Sequence, residues 1–308
     1  MAVPTEFAHL HVASSYSLRY GTATPKALAV RAAELGMSAL ALTDRDGLYG
    51  AFKHVQACAD AGIKPLLGVD LALRAGADLG LRTSDGAGRV TLLATGRQGW
   101  ASLCRLVSAA HATAEAGAGS GAGAGAADVP AVTRELIAEH AAGLVMLLGP
   151  ASDVAQAVAA RRLDLARRAL DRWRHLGVDT VVEIVDHLEP KSTFRAARLA
   201  ELARDTRTPA ILTNAVRYLH PVDSLTAQVL DAARHLVPLG SPKLVPHNGR
   251  AYLASQQDMT AIAKRVAKAM TGPGTASAAT LLLGETEELT RRCTLDPARD
   301  YQPQAPKV

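Results

Sequence analysis

The chain has 308 residues, 48% of them hydrophobic, enough for one large α/β barrel or two smaller domains with a sizeable core. Aromatic residues make up only 4%, which excludes a base-stacking platform, and a net charge of +5, carried mostly by Arg, permits contact with nucleic acid without demonstrating it. Cys58, Cys104 and Cys293 are odd in number and far apart, which excludes a disulfide framework or zinc knuckle, and with no signal-like start and no run of about 18 apolar residues a cytoplasmic protein without a membrane anchor is expected.

Residues 7–12, FAHLHV, alternate and predict a first strand. Thr24 is a good N-cap with Pro25 at the first helical position; Leu28, Ala32 and Leu35 then share one face, and Gly36 stops the helix. Residues 37–42 follow as a strand, in which the run ALAL suits burial on both faces. A helix over 48–61 closes at Gly62, strands are predicted over 63–73 and 90–94, and a helix over 99–111, with Cys58 and Cys104 as core residues. The Gly/Ala/Ser segment 114–128 lacks core-forming side chains and predicts a flexible surface loop.

Beyond it, Thr133 caps a short helix, 143–148 is a strand, and 161–176 an amphipathic helix with a heavily basic face. A strand at 180–185, a helix at 192–204 and a strand at 209–213 follow. From residue 221 the signals are mostly helical, ending with a helix at 280–292, and 296–308, with three prolines, reads as an extended linker. Such alternation predicts a parallel α/β barrel or a doubly wound sheet with right-handed crossovers. No G-x-G-x-x-G follows a strand and there is no Walker A sequence, so a nucleotide-binding sheet loses ground.

In a barrel of parallel strands, chemistry sits where strands end and loops begin. His11, Asp44, Asp70 and the pair Asp186-His187 stand at such ends, and His and Asp there suit zinc or manganese. The residue after Asp44 is Arg45, which cannot ligate a metal and repels a cation. On the basic helix, the pairs Arg161-Arg162 and Arg167-Arg168 could grip phosphates or simply form a solvated face.

The order of motifs is AHLHVASSYSLRYG, then ALALTDRDGLYGAFKHVQACADAGIKPLLGVDLAL, then VTLLATGRQGWASLCRLVSAAH, then TPAILTNAVRYL. It resembles the polymerase and histidinol phosphatase (PHP) domain at the front of bacterial DNA polymerase III alpha subunits, most closely the error-prone accessory type of actinobacteria. The tail ETEELTRRCTLDP is similar to the stretch that joins this domain to the polymerase modules. The resemblance covers nearly the whole chain. It implies an α/β fold, a distorted (βα)7 TIM-like barrel with a helical C-terminal extension. It also implies a PHP domain over 1–285 and the start of a linker toward polymerase modules over 286–308. In metal-loaded members the barrel mouth holds divalent ions on His, Asp and Glu side chains and supports phosphoester hydrolysis, including proofreading exonuclease activity.

Carried over by position, the resemblance implies a damaged site. The family's His-x-His is His11 followed by Ala13, its Asp-His is Asp44-Arg45, and a Glu of the third strand is Asp70. A His before the fourth strand aligns with Arg89, and His187 matches a ligand after the Glu183 strand. The late Asn-Asp-Val-His reads Asn214-Ala215-Val216-Arg217, and the Leu-Asp-Gly of the first loop reads Arg19-Tyr20-Gly21. His11, Asp44, Asp70 and His187 are thus remnant metal-site positions, while Ala13, Arg45, Arg89, Ala215 and Arg217 are lost ones. The expectation is no metal and no catalytic residue. Arg45, Arg89 and Arg217 would fill the space of the ions and pair with Asp44, Asp70 and Glu183, because unpaired buried carboxylates cost several kcal/mol each and bidentate Arg pairing relieves that. Arginines pointing to solvent are the alternative.

The implied role is a structural and interaction module of an error-prone polymerase active in DNA replication, repair or translesion synthesis. Its partners would be the thumb and palm modules of the parent chain, other replication or mutagenesis proteins, and DNA through the parent enzyme, which would use Mg2+. Two other readings compete: a divalent-metal-dependent phosphoesterase or 3'-5' exonuclease with a reduced metal site, and DNA binding through the basic helix.

Overall fold

Local signals start and stop the first elements. The Thr24 side chain accepts from the Ala27 amide and Pro25 opens α1 (Pro25–Glu34), which buries Leu28, Ala29 and Ala32. Gly36 and Gly62, at φ +75° and +70°, take the left-handed turn that ends α1 and α2 (Ala51–Asp60). Between them lies β1 (Ala39–Leu42), buried along its whole length. The computed structural model describes residues 7–74, 88–118, 130–293 and 295–300.

The chain continues through β2 (Lys64–Leu73), β3 (Arg89–Ala94), α3 (Gly96–Ala118), β4 (Ala131–Val132), α4 (Arg134–Glu139) and β5 (Leu144–Leu148). Next come α5 (Asp153–Ala159), α6 (Leu163–Arg174), β6 (Asp179–Ile184), α7 (Ser192–Asp205) and β7 (Ala210–Leu212). A 3-10 turn, Pro221–Asp223, leads into α8 (Ser224–His235), and α9 (Gln256–Ala269), α10 (Thr275–Cys293) and α11 (Pro297–Asp300) complete the chain order.

Three expectations need correction. Helix α3 runs to Ala118, into the segment expected to be a loop, because Ala114, Glu115 and Ala116 are good helix formers; residues 119–128 of that segment lie outside the described residues. Pro297–Asp300, expected as extended linker, forms a helical turn, and 301–308 lie outside the described residues. Residues 7–12 form no regular strand: they run extended, with one bridge from Val12 to Val216. The short α5, capped by Ser152, and the two-residue β4 had no counterpart in the sequence reading.

The sheet runs β1-β2-β3-β5-β6-β7, with β4 on the side of β2. All these pairings are parallel except those of β3, which is antiparallel to both β2 and β5. The predicted all-parallel order fails here for a plain reason. A parallel neighbour needs a long crossover, usually a helix, and the sequence between Leu73 and Arg89 carries Gly76, Gly80, Gly86 and Gly88 and no helical stripe.

The extended segment 9–13 bridges the two edges of the curled sheet. On one side the Ala41 amide donates to His9 O and the Thr43 amide to Val12 O; on the other, Ala13 donates to Val216 O and Val216 to His11 O. One parity of each strand points inward, and Ala39, Ala41, Leu66, Leu93, Val145, Leu147, Val181 and Ile211 form the inner cluster. Leu289 and Cys293 of α10 join this cluster, so the helical extension packs into the barrel's own core and runs straight through position 285. Outward residues such as Leu92, Met146 and Val182 pack with Leu103, Leu170, Trp173 and Met259 of the helices. Cys58 and Cys293 are buried and Cys104 is half-buried. Among the described residues no helix is long and apolar enough to cross a membrane.

Candidate functional site at the barrel mouth

Inward parity on β2 leads from Leu66 through Gly68 to Asp70, near the strand's C-terminal end. Because β3 runs backwards, its first residue, Arg89, pairs with Ala72 and so arrives at that same end. The Arg89 Nε donates to Asp70 Oδ2 at 2.9 Å, and its Nη2 donates to Asp46 Oδ1 and to the Asp70 carbonyl, both at 2.8 Å. The Nε of Arg45 stands 3.3 Å from Asp70 Oδ2. Asp70 is buried. Burial would raise its pKa, but the adjacent Arg89 and Arg45 charges overcome that and hold the carboxyl below its usual range.

Asp44 has a different environment. Its Oδ1 accepts from the Ser14 amide at 2.6 Å and from Ser17 Oγ at 2.7 Å, and its Oδ2 accepts from Ser14 Oγ at 2.9 Å. Burial pushes this carboxyl up, against the pull of the serine donors. Gly50 makes room for it, since a Cβ there would lie 2.7 Å from Asp44 Oδ2. Where an arginine partner was expected for Asp44, the serines of loop 14–17 hold both of its oxygens.

Glu183, an inward residue of β6, likewise meets other partners than the arginine expected for it. It lies 2.8 Å from His11 Nδ1 and accepts from Thr213 Oγ1, while Gly149 packs against its other oxygen. Burial would lower the His11 pKa; the Glu183 carboxylate outweighs this and raises it.

Arg217 turns away from this cluster. It forms a two-pronged pair with Asp231 of α8, at 3.2 and 3.0 Å, and donates to the Tyr20 carbonyl at 3.2 Å. His247 Nε2 lies 2.6 Å from Asp231 Oδ2, and Arg234 donates to Asp231 Oδ1 at 2.9 Å. The Tyr20 ring joins the two clusters: the Arg45 guanidinium stacks 3.3 Å from its centroid and that of Arg217 at 3.8 Å. Burial would raise Asp231, yet its bonds to His247 and Arg217 hold it far below the usual carboxylate range.

His187 does not join the mouth cluster through a hydrogen bond. Its Nε2 lies 2.8 Å from the Asn214 carbonyl, and burial lowers its pKa. Among the described residues, no hydrogen bond joins any two of His11, Asp44, Asp70 and His187, and no three His, Cys, Asp or Glu side chains converge as a metal site would require. At the lost positions, Ala13 donates its amide to Val216 O, and Ala215 takes φ +39° beside it. Tyr20, Ser14, Ser17, Asp231 and His247 were not foreseen as site residues. The one sequence signal for Asp231 is Arg217 itself, a cation in need of an acid.

The basic pairs sit elsewhere, on and before α6, which lies on the outside of the sheet. Arg162 and Arg168 both pair with Asp164, at 3.4 and 3.0 Å, Arg167 stands 3.8 Å from Asp205, and Arg161 is exposed.

Residues 9–187 match the family model for the PHP domain. The chain is 32% identical over 262 residues to the error-prone DNA polymerase of Mycobacterium bovis, covering 82% of this chain and 23% of that protein. It is 32% identical over 231 residues to DNA polymerase III subunit alpha of Treponema pallidum, covering 73% and 19%. With the Escherichia coli DNA polymerase III subunit alpha the identity is 28% over 293 residues, covering 94% and 23%. The chain therefore spans less than a quarter of the length of these relatives. In three dimensions it is similar to the crystal structure of a proposed metal-dependent phosphoesterase from Bifidobacterium adolescentis, with a TM-score of 0.50 and 14% identity over 88% of this chain and 99% of that one. At that identity the likeness concerns the fold alone, a TIM-like α/β barrel. The match across residues 9–187 decides the family: the chain belongs to the PHP domains.

Proposed function

We propose that the chain is the PHP domain of a bacterial, error-prone DNA polymerase III alpha-like enzyme. There it acts as a structural and interaction module with no hydrolytic centre of its own. The observation that carries this reading is Asp70, a buried carboxylate at a family ligand position that receives Arg89 at 2.9 Å and Arg45 at 3.3 Å. A guanidinium stays charged and has no lone pair to offer a metal, so fixed cations already neutralise the acid that an ion would need.

The remaining donors do not fit a divalent cluster either. Ser14 and Ser17 hold Asp44, Glu183 holds Nδ1 of His11 and the Asn214 carbonyl holds Nε2 of His187, and among the described residues no three His, Cys, Asp or Glu side chains converge on one point. A catalytic zinc needs about three protein ligands facing one open position. The relatives' greater length supports a role as a platform for further modules, which would extend a primer on DNA with Mg2+.

The test is metal analysis of the purified chain together with hydrolysis of bis(p-nitrophenyl) phosphate and of 3'-labelled DNA in the presence of Mn2+ or Zn2+. Metal well below one equivalent and no hydrolysis above the buffer rate are expected. Stoichiometric metal, with hydrolysis lost in His11→Ala and Asp44→Asn, would overturn the proposal in favour of a metal-dependent phosphoesterase.

A further inference from the structure

Helix α6 and the two residues before it carry six arginines, Arg161, Arg162, Arg167, Arg168, Arg172 and Arg174, against two aspartates, Asp164 and Asp171. This one segment supplies most of the net charge of +5 of the whole chain. At about 100° per residue, Arg167 and Arg174 fall along one flank of the exposed face and Arg168 and Arg172 along the other, with Asp164 and Asp171 between them. The first flank lies beside α7: Arg167 stands 3.8 Å from Asp205, and Arg174 donates to the Thr206 carbonyl at 3.3 Å. On the second, Nε and Nη2 of Arg172 are shielded from water and meet no acceptor among the described residues. An N–H held that way costs free energy, which a phosphate oxygen recovers once the side chain extends to it. The pairs inside the segment do not neutralise it. Arg162 and Arg168 share the one carboxylate of Asp164, and the side chains of Arg162, Arg167 and Arg168 are 57%, 58% and 64% exposed. Pairs so exposed are weak and screened by salt, so a polyanion displaces them.

The chemistry of the face selects the kind of polyanion. The apolar side of α6, with Ala166, Ala169, Leu170 and Trp173, is turned into the core, and Leu163 is the one large apolar side chain that the helix exposes. A membrane surface needs an apolar helix face to bury, and the core of a protein interface is depleted in charge; this face offers neither. Trp173 points inward and donates to Asp153, so the helix presents no indole on which unpaired bases stack. What remains is a double row of guanidinium groups, whose planar forks bind phosphate oxygens two at a time. The row from Arg167 to Arg174 spans about 10 Å of helix, a length over which a duplex carries about six phosphates.

From these two arginine flanks we infer that the chain grips the phosphate backbone of duplex DNA through α6, without reading its sequence. The surface lies on the outside of the sheet, away from the barrel mouth. Only the choice of DNA over RNA rests on the reading of the chain as a polymerase domain.

Fluorescence anisotropy of the 308-residue chain with a short labelled DNA duplex of mixed sequence should show binding at low salt. The logarithm of the binding constant should fall linearly with that of the salt concentration, with a slope of about −4 for four or five neutralised phosphates. Arg167→Ala, Arg168→Ala and Arg174→Ala together should weaken binding by about tenfold or more and flatten the slope by about 3, with an unchanged circular dichroism spectrum. Replacing the same three by lysine keeps the charge and should retain salt-dependent binding. Lys26→Ala, Lys53→Ala and Lys64→Ala together remove equal charge from exposed sites elsewhere and should leave affinity and slope as in wild type. No binding of the duplex at low salt overturns the inference. So does an equal loss in the arginine and lysine sets, which would mean attraction by net charge alone. Preference for single-stranded DNA, duplex RNA or poly-glutamate over the DNA duplex also overturns it. Metal content and hydrolysis do not depend on these side chains, so failure here leaves the reading of the barrel mouth intact.

Discussion

Replacing Arg89 by Met tests whether arginine has taken over the role of an ion at the mouth. The variant removes three hydrogen bonds to Asp70 and Asp46 and leaves Asp70, 4% exposed, with Arg45 at 3.3 Å. Deleting one partner of a buried pair costs about 3–5 kcal/mol, and the residual attraction of Arg45 sets the expectation near the lower end, about 3 kcal/mol. For a domain this large, that corresponds to a fall in Tm of about 6 °C. Urea unfolding of wild type, Arg89→Met, Asp70→Leu and the double variant should show strong coupling. The double variant should recover much of the loss, because an apolar pair leaves no orphaned charge in the interior.

The pH dependence has a definite sign. Asp70 has a folded pKa below its unfolded one, so its contribution is present above the ordinary carboxylate value of about 3.9 and fades as the pH falls below it. The gap between wild type and Arg89→Met should therefore narrow in acid. A loss below about 1 kcal/mol at neutral pH, or strict additivity in the double variant, would mean that Arg89 is effectively solvated and would refute the reasoning.

Burial lowers both His9 and His54 to about 4, against 6.5 for an ordinary imidazole. The unfolded chain then binds protons that the folded one refuses, so their stability is complete above pH 6.5 and drains away toward pH 4, by up to about 3 kcal/mol for each. Urea midpoints that do not move between neutral pH and that range would contradict this. In Gly149→Ala the new Cβ would lie 1.9 Å from Glu183 Oε2, so the carboxylate must move off His11. The His11 pKa, followed by NMR, should fall, with a stability loss of about 1–3 kcal/mol, and an unchanged titration would count against the pair. Tyr20→Ala removes the face on which Arg45 and Arg217 stack and should cost about 2 kcal/mol, whereas Tyr20→Phe, which keeps the ring, should stay near wild type. Equal losses in the two variants would point to the hydroxyl instead.

Sequence alone determined the elements whose causes are local. The Thr24-Pro25 start, the glycine stops at 36 and 62, the ALAL strand and the Thr133 cap depend on neighbouring residues, and each element lies within a few residues of its predicted place. It also put Asp44 and Asp70 at strand ends beside an excess of arginine, because strand parity and turn chemistry are legible in order.

It could not determine which acid each arginine meets, since an ion pair is set by position in space. Only the tertiary structure reversed β3, and that reversal brings Arg89 to Asp70; in a parallel strand the same residue would open at the far end of the barrel. Only the fold brought α8 back beside the segment that follows β7, giving Arg217 the carboxylate of Asp231 in place of an acid at the mouth. Coulombic partners are chosen by distance and desolvation, and both are properties of the closed barrel.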